Sequence, residues 1–421
     1  MKKKKILLLG DDIRVISGVS LICKEIILNN IEKYDWVQLA SQKNNPDDGH
    51  IVDVSESVNE LTNVQDSYVR LYCSSGYGNQ GIVRKILSHE EIDCILHITD
   101  PHRWSWLYRM EHEIRTKIPL CYYHVWDNYP IPFFNKQIYE SCDFIGCISK
   151  LTYNCVNEIT DIPSTKYIPH GIDENKFYKL DETVSQNCKN NLLAGDMCKF
   201  LVFCNNTNIP RKQLPLLIES FVEFCNRLEG DESKQVALMI HTNPTNPAGA
   251  NLIKIVDELY SEYNILFSST KVNDNTLNQM YNTADVTINI ASNEGFGLST
   301  MESLMSETPI IVNDTGGLGE QVDDDETWGL KIKPTIKNLI GSNSTPYIYE
   351  AICSVSDIAD SLLKMYKKPF NERKKMGMVG REYACKNYSV KNMCNEIGNE
   401  LEQIIEKFQP KDRYTIEKIE L

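Results

Sequence analysis

The chain has 421 residues and a formal net charge of −14. Its length predicts about two or three domains, and its 42% of hydrophobic residues is enough to build their cores. The acidic balance argues against a nucleic-acid-binding protein, because such proteins present a basic surface. It leaves room for a local basic pocket that binds a small anion.

The N-terminus predicts a buried strand and not a targeting segment. No run of the sequence approaches the ~18 consecutive apolar residues of a membrane helix. Four lysines, Lys2, Lys3, Lys4 and Lys5, are followed by only four apolar residues before Gly10. A secretory signal needs an apolar region of ~7–15 residues. We therefore expect solvated lysines ahead of a first strand; weak contact of these lysines with an anionic membrane surface is the alternative.

The 14 cysteines of the chain indicate reduced thiols. They are scattered through strand-like and helix-like segments, and no pair has Cys-x-x-Cys spacing, so neither a zinc site nor a redox pair is signalled. Buried reduced thiols are typical of cytosolic proteins. We expect a cytoplasmic protein that needs no metal and no cofactor.

The first half alternates buried strands with helical stretches, which predicts a doubly wound parallel sheet. Its predicted strands are residues 5–9, 93–99, 118–127 and 144–149. A polar loop with Gly18 follows the first strand. Gly18 either lets the backbone approach a diphosphate or is an ordinary loop glycine. The Gly-x-Gly-x-x-Gly fingerprint is absent, which disfavours an NAD-dependent oxidoreductase.

Three histidines, His97, His102 and His124, lie at or just beyond predicted strand ends. A single histidine in such a place is more often structural than catalytic, and the spacing of the three is not that of a metal site. His124 is the candidate for function because polar and aromatic residues suited to a ligand pocket, such as Trp126 and Asp127, follow it.

Proline and glycine at residues 169–171 mark a joint between two α/β patterns. Residues near 180–198 carry few large apolar groups and predict a linker or surface excursion. The strand at 200–204 then leads to Arg211 and Lys212 at a helix start. Two cations there oppose the helix dipole, and a bound phosphate would resolve that conflict. A solvated basic pair on a loop is the alternative.

The stretch from Asn293 to Glu302 places two carboxylates, Glu294 and Glu302, on one turn with two glycines between them. Predicted strands at 284–290 and 309–312 flank it, which makes a βαβ unit. Open α/β sheets bind ligands at such carboxyl-end turns, and a helix N-terminus attracts an anion. The stretch therefore suits a sugar nucleotide, with backbone amides on phosphate and carboxylates on hydroxyl groups.

Each carboxylate also has an ordinary interpretation. Glu294 lies in Asn-Glu-Gly, a common turn composition, and Ser299-x-x-Glu302 matches a helix capping box.

Residues 328–349, rich in aromatics and prolines, form either a substrate lid or a packing loop. A last helical pattern spans residues 390–408.

Together these motifs resemble the retaining glycosyltransferases of family 4, within the glycosyl transferases group 1. The matching motifs, which cover most of the chain, are Glu294-Gly-Phe-Gly-Leu-x-x-x-Glu302, Pro309-Ile-Ile, Gly316-Gly-x-x-Glu320, Ile168-Pro-His-Gly-Ile-Asp173 with Phe177, Asp143-Phe-Ile before Ser149, and Tyr281-Asn-Thr-Ala-Asp-Val286. In the family the arginine and lysine are commonly separated by several residues, whereas here they are adjacent.

The resemblance implies an α/β GT-B fold, in which two Rossmann-like doubly wound domains face a cleft and a C-terminal helix crosses back to the first domain. We expect an acceptor-binding domain at 1–175, a nucleotide-sugar-binding domain at 176–388 and the crossing helix in 389–421.

The resemblance also implies roles for individual residues. Glu294 and His124 would contact the sugar, Glu302 would accept from ribose hydroxyls, and Arg211 with Lys212 would neutralise the diphosphate. Gly18 would pack its loop against that diphosphate. Backbone amides of the turn would hold sugar or phosphate oxygens; these turn residues are Gly295, Phe296, Gly297, Leu298 and Ser299.

The implied reaction is metal-independent transfer of a hexose-type sugar from a nucleotide-diphosphate sugar to an acceptor hydroxyl, with retention of anomeric configuration. Two alternatives remain open: a GT-B sugar-nucleotide epimerase, which needs no acceptor, and a non-catalytic nucleotide-sugar-binding protein. The partners expected are the donor and an acceptor glycan, lipid or protein hydroxyl. The base, the sugar, the acceptor and the oligomeric state depend on surface shape and stay open.

Overall fold

Two parallel sheets, one in each half of the chain, frame the computed structural model, which describes residues 2–161, 164–193 and 198–412. The strands of the first half are β1 (Lys4–Asp11), β2 (Tyr34–Gln42), β3 (Ile51–Asp53), β4 (Val69–Ser75), β5 (Cys94–Ile98), β6 (Leu120–His124), β7 (Phe144–Cys147) and β8 (Thr165–Tyr167). Its helices are α1 (Gly18–Asn29), α2 (Ser55–Thr62), α3 (Gln80–His89), α4 (Ser105–Tyr108), α5 (Glu111–Ile114), α6 (Lys136–Glu140) and α7 (Lys150–Ile159).

The strands of the second half are β9 (Phe200–Asn205), β10 (Val236–His241), β11 (Ile265–Ser268), β12 (Val286–Asn289), β13 (Ile310–Asn313), β14 (Gly329–Ile332), β15 (Ile336–Ile340) and β16 (Ile348–Ile352). Its helices are α8 (Glu182–Asn190), α9 (Leu214–Asn226), α10 (Leu252–Leu259), α11 (Asp274–Thr283), α12 (Leu298–Met305), α13 (Val355–Lys367), α14 (Phe370–Asn387) and α15 (Val390–Lys407).

The first sheet has the order β3-β4-β2-β1-β5-β6-β7-β8, and every neighbouring pair is parallel except β3 and β4. The second has the order β11-β10-β9-β12-β13-β14 and is parallel throughout. In both, the order reverses next to the first strand of the sheet, which leaves a crevice at the carboxyl ends of the strands where such folds bind ligands.

The strands form where the sequence has apolar runs, because helices cover both faces of a parallel sheet. In β1, Ile6, Leu7, Leu8 and Leu9 are all fully buried. The strands predicted in both halves are therefore present, with ends that differ by a few residues. The structure adds strands that the sequence did not predict: β2, β3, β4, β8, β14, β15 and β16.

The region near residues 180–198, predicted as a linker or surface excursion, contains the largely exposed helix α8. The helix has no apolar stripe to reveal it: its one buried residue is Lys189, whose ammonium pairs with Asp285. An ion pair, and not an apolar face, therefore holds α8 against the second domain.

The final helix, α15, packs on α1 of the first domain. The Asn30 side-chain amide donates to the Cys394 carbonyl at 3.0 Å, and the Tyr34 hydroxyl donates to the Gly398 carbonyl at 2.7 Å. A Cβ atom at Gly398 would lie 2.1 Å from Asn30 Oδ1, so a larger residue there would displace the Asn30 side chain from its bond to α15. The last helix thus crosses back to the first domain; residues 413–421 of the predicted third segment lie outside the described residues.

The N-terminal lysines have partners within the protein. Lys2 pairs with Glu91, Lys4 with Asp93 at 2.9 Å and Lys5 with Glu90 at 2.7 Å, while Lys3 donates to the Ile31 carbonyl. Among the described helices, none is both long and apolar enough to cross a membrane.

All 14 cysteines are free thiols. Only Cys188 and Cys385 are not fully buried. No group of three or more potential metal ligands occurs within the described parts of the chain.

Candidate functional site

A cleft of about 480 Å³ lies between the two domains at the carboxyl ends of their sheets. Ten of the eleven candidate residues line it: Gly18 from the first domain, and Arg211, Lys212, Glu294, Gly295, Phe296, Gly297, Leu298, Ser299 and Glu302 from the second. The eleventh, His124, does not line it. The fold therefore gathers residues that are far apart in sequence around one cavity.

Two glycine turns meet at the floor of this cleft. Gly297 has a φ of +95°, which favours glycine, and it precedes the first turn of α12. The second turn presses on the first: a Cβ atom at Gly316 would lie 2.3 Å from the Glu294 carbonyl oxygen, and the Gly317 amide donates to that same oxygen at 2.8 Å. Small residues in both turns thus fix the Glu294 backbone.

The N-terminus of α12 is free to bind an anion. No side chain caps it, because Gly297 occupies the N-cap position. Leu298 and Ser299, its first two residues, line the cleft. Gly18 stands opposite, since a Cβ atom there would contact Leu298 Cδ1 at 3.4 Å. A phosphate between the Gly18 loop and α12 would meet unpaired backbone amides and the positive end of the helix dipole.

Two cations and one carboxylate form an ion cluster at this cleft. Glu294 Oε2 accepts from Arg211 Nη1 at 3.2 Å and from the Lys212 ammonium. Arg211 also donates to the Asn293 carbonyl at 2.8 Å. Burial alone would raise the pKa of Glu294, but the charges of Lys212 and Arg211 outweigh it and lower this pKa below its ordinary value. The carboxylate is therefore ionised and the cluster carries a net positive charge.

Arg211 and Lys212 lie on the 3-10 turn Pro210–Lys212, one turn before α9. The prediction placed them at the start of that helix. Gln213, with a φ of +55°, breaks the chain direction between the turn and α9. This break lets both side chains reach the cleft while Lys212 stays buried at 9% exposure.

Glu302 is held by a tyrosine and not by a helix cap. Its Oε2 accepts from the Tyr281 hydroxyl at 2.6 Å, and Asn205 donates to that hydroxyl at 2.9 Å. The capping-box interpretation is wrong, because Ser299 lies inside α12 and Gly297 is the N-cap. Burial raises the pKa of Glu302 to about 7. Because Glu302 is buried, its ionised form has few hydrogen bonds to water, and the hydroxyl groups of a ligand would supply hydrogen bonds in their place.

The structure places His124 beneath the cleft and not in it. The side chain is fully buried, and its Nε2 shares a hydrogen bond of 2.7 Å with the Tyr139 hydroxyl. Burial lowers the pKa of His124 to about 3, so the ring is neutral. Aromatic rings of Tyr122 and Trp126 also surround it. The predicted contact between His124 and a sugar finds no support in this geometry.

Comparison with known proteins agrees with this architecture. Residues 189–383 match the model of a family described as glycosyl transferases group 1. No curated protein sequence matches the chain. Among solved structures, sucrose-phosphate synthase from Thermosynechococcus elongatus is 14% identical with a TM-score of 0.72, and the match covers 96% of this chain and 100% of that one.

HepE from Anabaena, solved in complex with UDP and glucose, is 15% identical with a TM-score of 0.68, over 95% of this chain and 100% of that one. The trehalose-6-phosphate synthase of Burkholderia multivorans is 11% identical with a TM-score of 0.66, over 96% and 99%. These matches span both domains and the crossing helix. The chain has the GT-B fold.

Two carboxylates that the motifs did not single out also line this GT-B cleft, Asp100 and Asp127. Burial and the nearby charge of Asp127 raise the pKa of Asp100 to about 7. Burial likewise raises the pKa of Asp127, against the opposing charge of Arg211. The sequence signal was present, since Asp100 directly follows β5 and Asp127 lies three residues beyond β6.

The segment predicted as a lid or packing loop contains an antiparallel hairpin, β15–β16, that joins the two halves of the GT-B fold. The Tyr349 amide donates to the Tyr129 carbonyl of the first domain at 2.7 Å, and the Ala351 amide donates to the Ser292 carbonyl of the second at 2.8 Å. The Tyr347 ring packs edge-on against Phe134 at 5.0 Å. The hairpin therefore packs across one end of the cleft.

A second bridge between the domains comes from the glycine turn at the cleft floor. The Glu320 carboxylate accepts from the backbone amides of Lys150 and Leu151 at 2.9 and 2.8 Å. These amides begin α7, whose positive dipole end suits a carboxylate. Glu320, one of the motif residues, thus has a structural role across the domain boundary.

Proposed function

We propose that this chain is a retaining, metal-independent glycosyltransferase that moves a hexose-type sugar from a nucleotide-diphosphate sugar to an acceptor hydroxyl. The observation that carries the proposal is the meeting of Arg211, Lys212 and the free N-terminus of α12 in one interdomain cleft. That arrangement suits a diphosphate, whose charge needs cations and oriented amides. Glu302 and Glu294, at the two ends of the same turn, supply acceptors for ribose and hexose hydroxyls.

The ion cluster explains how the site stays stable before the donor binds. Glu294 pairs with both cations in this structure. A diphosphate would compete for Arg211 and Lys212, which frees Glu294 to accept from sugar hydroxyls beside it. Donor binding therefore replaces the ion pairs of Glu294 with ion pairs to the diphosphate, and hydrogen bonds from sugar hydroxyls compensate the freed carboxylate.

The chemical step follows from where the charges lie. The bond between the anomeric carbon and the diphosphate oxygen breaks, and its electron pair stays on the diphosphate, where Arg211, Lys212 and the α12 amides stabilise the new charge. The acceptor oxygen bonds to the anomeric carbon from the same face, and its proton passes to a phosphate oxygen. Attack on the face of the leaving group retains the anomeric configuration.

The donor class can be found by thermal shift with a panel of uridine, guanosine, adenosine and thymidine diphosphate sugars. A ligand at about 100 times its Kd adds ~2.7 kcal/mol to the free energy of unfolding. UDP sugars are the first to test, because the HepE structure holds UDP and glucose. Release of nucleoside diphosphate, insensitivity to EDTA and the anomeric configuration of the product by NMR complete the assay.

Each rival gives a distinct result in that assay. Conversion of the donor into an isomeric nucleotide sugar without an acceptor indicates an epimerase. Stabilisation by a nucleotide sugar without any turnover indicates a binding protein. Loss of turnover in EDTA, or a product of inverted configuration, would contradict the mechanism proposed here.

Donor affinity should rise with pH through Glu302. Folding raises the pKa of Glu302 to about 7 from an ordinary value of 4.5. The free energy of unfolding therefore falls as pH rises from 4.5 to 7, because the unfolded chain loses this proton first. Above pH 7 the folded protein bears the full cost of ionising the group. The ribose hydroxyls donate to the ionised carboxylate, so Glu302 must lose its proton before the donor can make these hydrogen bonds. Because affinity scales with the competent fraction, we expect Kd to weaken about tenfold from pH 8 to pH 6.

Titration calorimetry with the nucleotide sugar from pH 6 to pH 8 measures this effect. The donor diphosphate is esterified on both sides and does not itself titrate in this range. In Glu302→Gln the pH dependence should disappear. An unchanged slope in that variant would show that another group causes it.

A further inference from the structure

A second cavity, of about 280 Å³, opens beside the cleft under the β15–β16 hairpin. The two cavities share Asp100, Asp127 and Arg211 as lining residues. A molecule in the second cavity would therefore reach the side of the cleft where Glu294 and Asp127 lie. The remaining walls include the hairpin turn, through Ser342 and Thr345.

The charges of this second cavity disfavour an anion. Asp100 and Asp127 both line it, and Arg211 is its only lysine or arginine among the described residues. Arg211 is already bonded to Glu294 and Asn293. Burial lowers the pKa of His102, the remaining basic group in the lining, which keeps its ring neutral near pH 7. A phosphorylated molecule here would face two carboxyl groups, of which Asp100 is partly ionised near pH 7, and no unpaired lysine or arginine among the described lining residues.

The same lining suits hydroxyl groups. Carboxyl groups accept hydrogen bonds from hydroxyls, and the edge of Trp126 together with Ile340 and Ile348 adds apolar lining. Two lining residues also carry buried polar atoms that lack a partner in the described structure: Trp126 Nε1, a donor, and Asn293 Oδ1, an acceptor. Small adjustments that expose either atom would give a ligand one further hydrogen bond of each kind.

A strained backbone conformation at Thr99 precedes Asp100, which lies where the two cavities meet. The preceding residue, Thr99, has a φ of +121°, a genuine outlier for a β-branched residue. Its carbonyl accepts from the buried Tyr122 hydroxyl at 2.9 Å, which fixes the strained peptide. Such strain costs ~1–3 kcal/mol and persists mainly at functional sites. Asp100 is thus held at the junction of the two cavities.

We propose that this second cavity is the acceptor subsite, that it selects an uncharged, hydroxyl-rich acceptor, and that the β15–β16 hairpin turn determines this specificity. The inference rests on the proposed transferase function. It assigns to a hairpin of the second domain a contact with the acceptor, and it assigns Asp100 and Asp127 to the binding of acceptor hydroxyls. The bonds of β16 to Tyr129 and Ser292 keep this wall in place.

The test compares two tryptophan variants of the same turn. Thr345→Trp places a ring in the cavity, whereas Asn343→Trp is a matched control at an exposed residue that does not line it. Two rates are measured with the donor found above: release of nucleoside diphosphate into water, and its acceleration by a panel of neutral hexoses and disaccharides and the matching hexose 6-phosphates.

We expect neutral sugars to accelerate release and hexose phosphates to do so at least tenfold less well. Thr345→Trp should raise the acceptor KM at least tenfold while donor hydrolysis stays within twofold, and Asn343→Trp should change neither. Ser342→Arg adds a cation to the same wall, so it should shift the preference toward hexose phosphates about tenfold.

The inference is overturned if Thr345→Trp, like the control Asn343→Trp, keeps the wild-type acceptor KM. It is also overturned if phosphorylated sugars are the better acceptors of the wild type, or if no neutral sugar accelerates release. In each case normal hydrolysis of the donor would leave the proposed function standing. Absence of hydrolysis and transfer with every nucleotide sugar would instead remove the function on which the inference rests.

Discussion

Lys212→Met is expected to lower kcat for sugar transfer by about 10²–10³-fold, the usual loss when one preorganised group that stabilises the developing charge is removed. Lys212 is buried at the cleft and pairs with Glu294. In the transition state the departing diphosphate gains charge, and Lys212 is one of only two described cations that line this cleft. Methionine keeps much of the side-chain length, so the cavity shape changes little.

The loss should appear in turnover and not in folding. Glu294 keeps Arg211 as a partner in this variant, at 3.2 Å in the wild-type structure, so no buried carboxylate is left alone. Circular dichroism and the thermal midpoint should stay close to wild type. Lys364→Met, which removes an exposed lysine on α13 that pairs with Glu326, is the matched control and should keep full activity. A kcat within threefold of wild type in Lys212→Met would contradict the assignment.

The sequence predicts most of this architecture because buried parallel strands appear as continuous apolar runs. It also predicts the turn at Glu294, since glycines between a strand and a helix are an identifiable local pattern. The contact between Glu294 and the two cations was not predictable in the same way. The residues lie 82 and 83 positions apart, and the sequence suggested separate roles for them, whereas the structure pairs them.

The placement of His124 shows a second limit of sequence reasoning. Every residue of β6 is buried, so the alternation that separates a core face from a ligand face is absent. Nothing in the strand shows that His124 faces Tyr139 while Asp127, three residues later, reaches the cleft. Likewise β15 is exposed along its whole length, so its sequence has no core-facing pattern that would reveal a hairpin.

Some motif residues lie at the cleft and others away from it, in a way that spacing does not reveal. Asp285 belongs to the Tyr281–Val286 motif, yet it lies before β12, at the end of the strand away from the cleft. Its carboxylate pairs with Lys189 and with Arg373 Nη2 at 3.0 Å, and it accepts from the Leu201 amide at 2.7 Å. Both cations are buried, so this carboxylate balances two charges inside the second domain.

Asp285→Asn should therefore destabilise the protein by about 3–5 kcal/mol, the usual cost of leaving buried charges without their partner. Asparagine keeps the shape of the side chain and removes its charge, so lost packing contributes little. With ~2–4 °C per kcal/mol for a domain of this size, the thermal midpoint should fall by roughly 6–20 °C. At a temperature where the variant is still folded, kcat should remain near wild type, because Asp285 does not line the cleft.

Scanning calorimetry and turnover at low temperature measure the two effects separately. Asp324→Asn is the matched control: its carboxylate pairs with Lys331 but is fully exposed, and surface pairs contribute little to stability. Its midpoint should not move. An equal, small shift in both variants would show that the buried cluster is not needed for folding, and a loss of kcat in folded Asp285→Asn would show that the cluster positions the cleft as well as stabilising the domain.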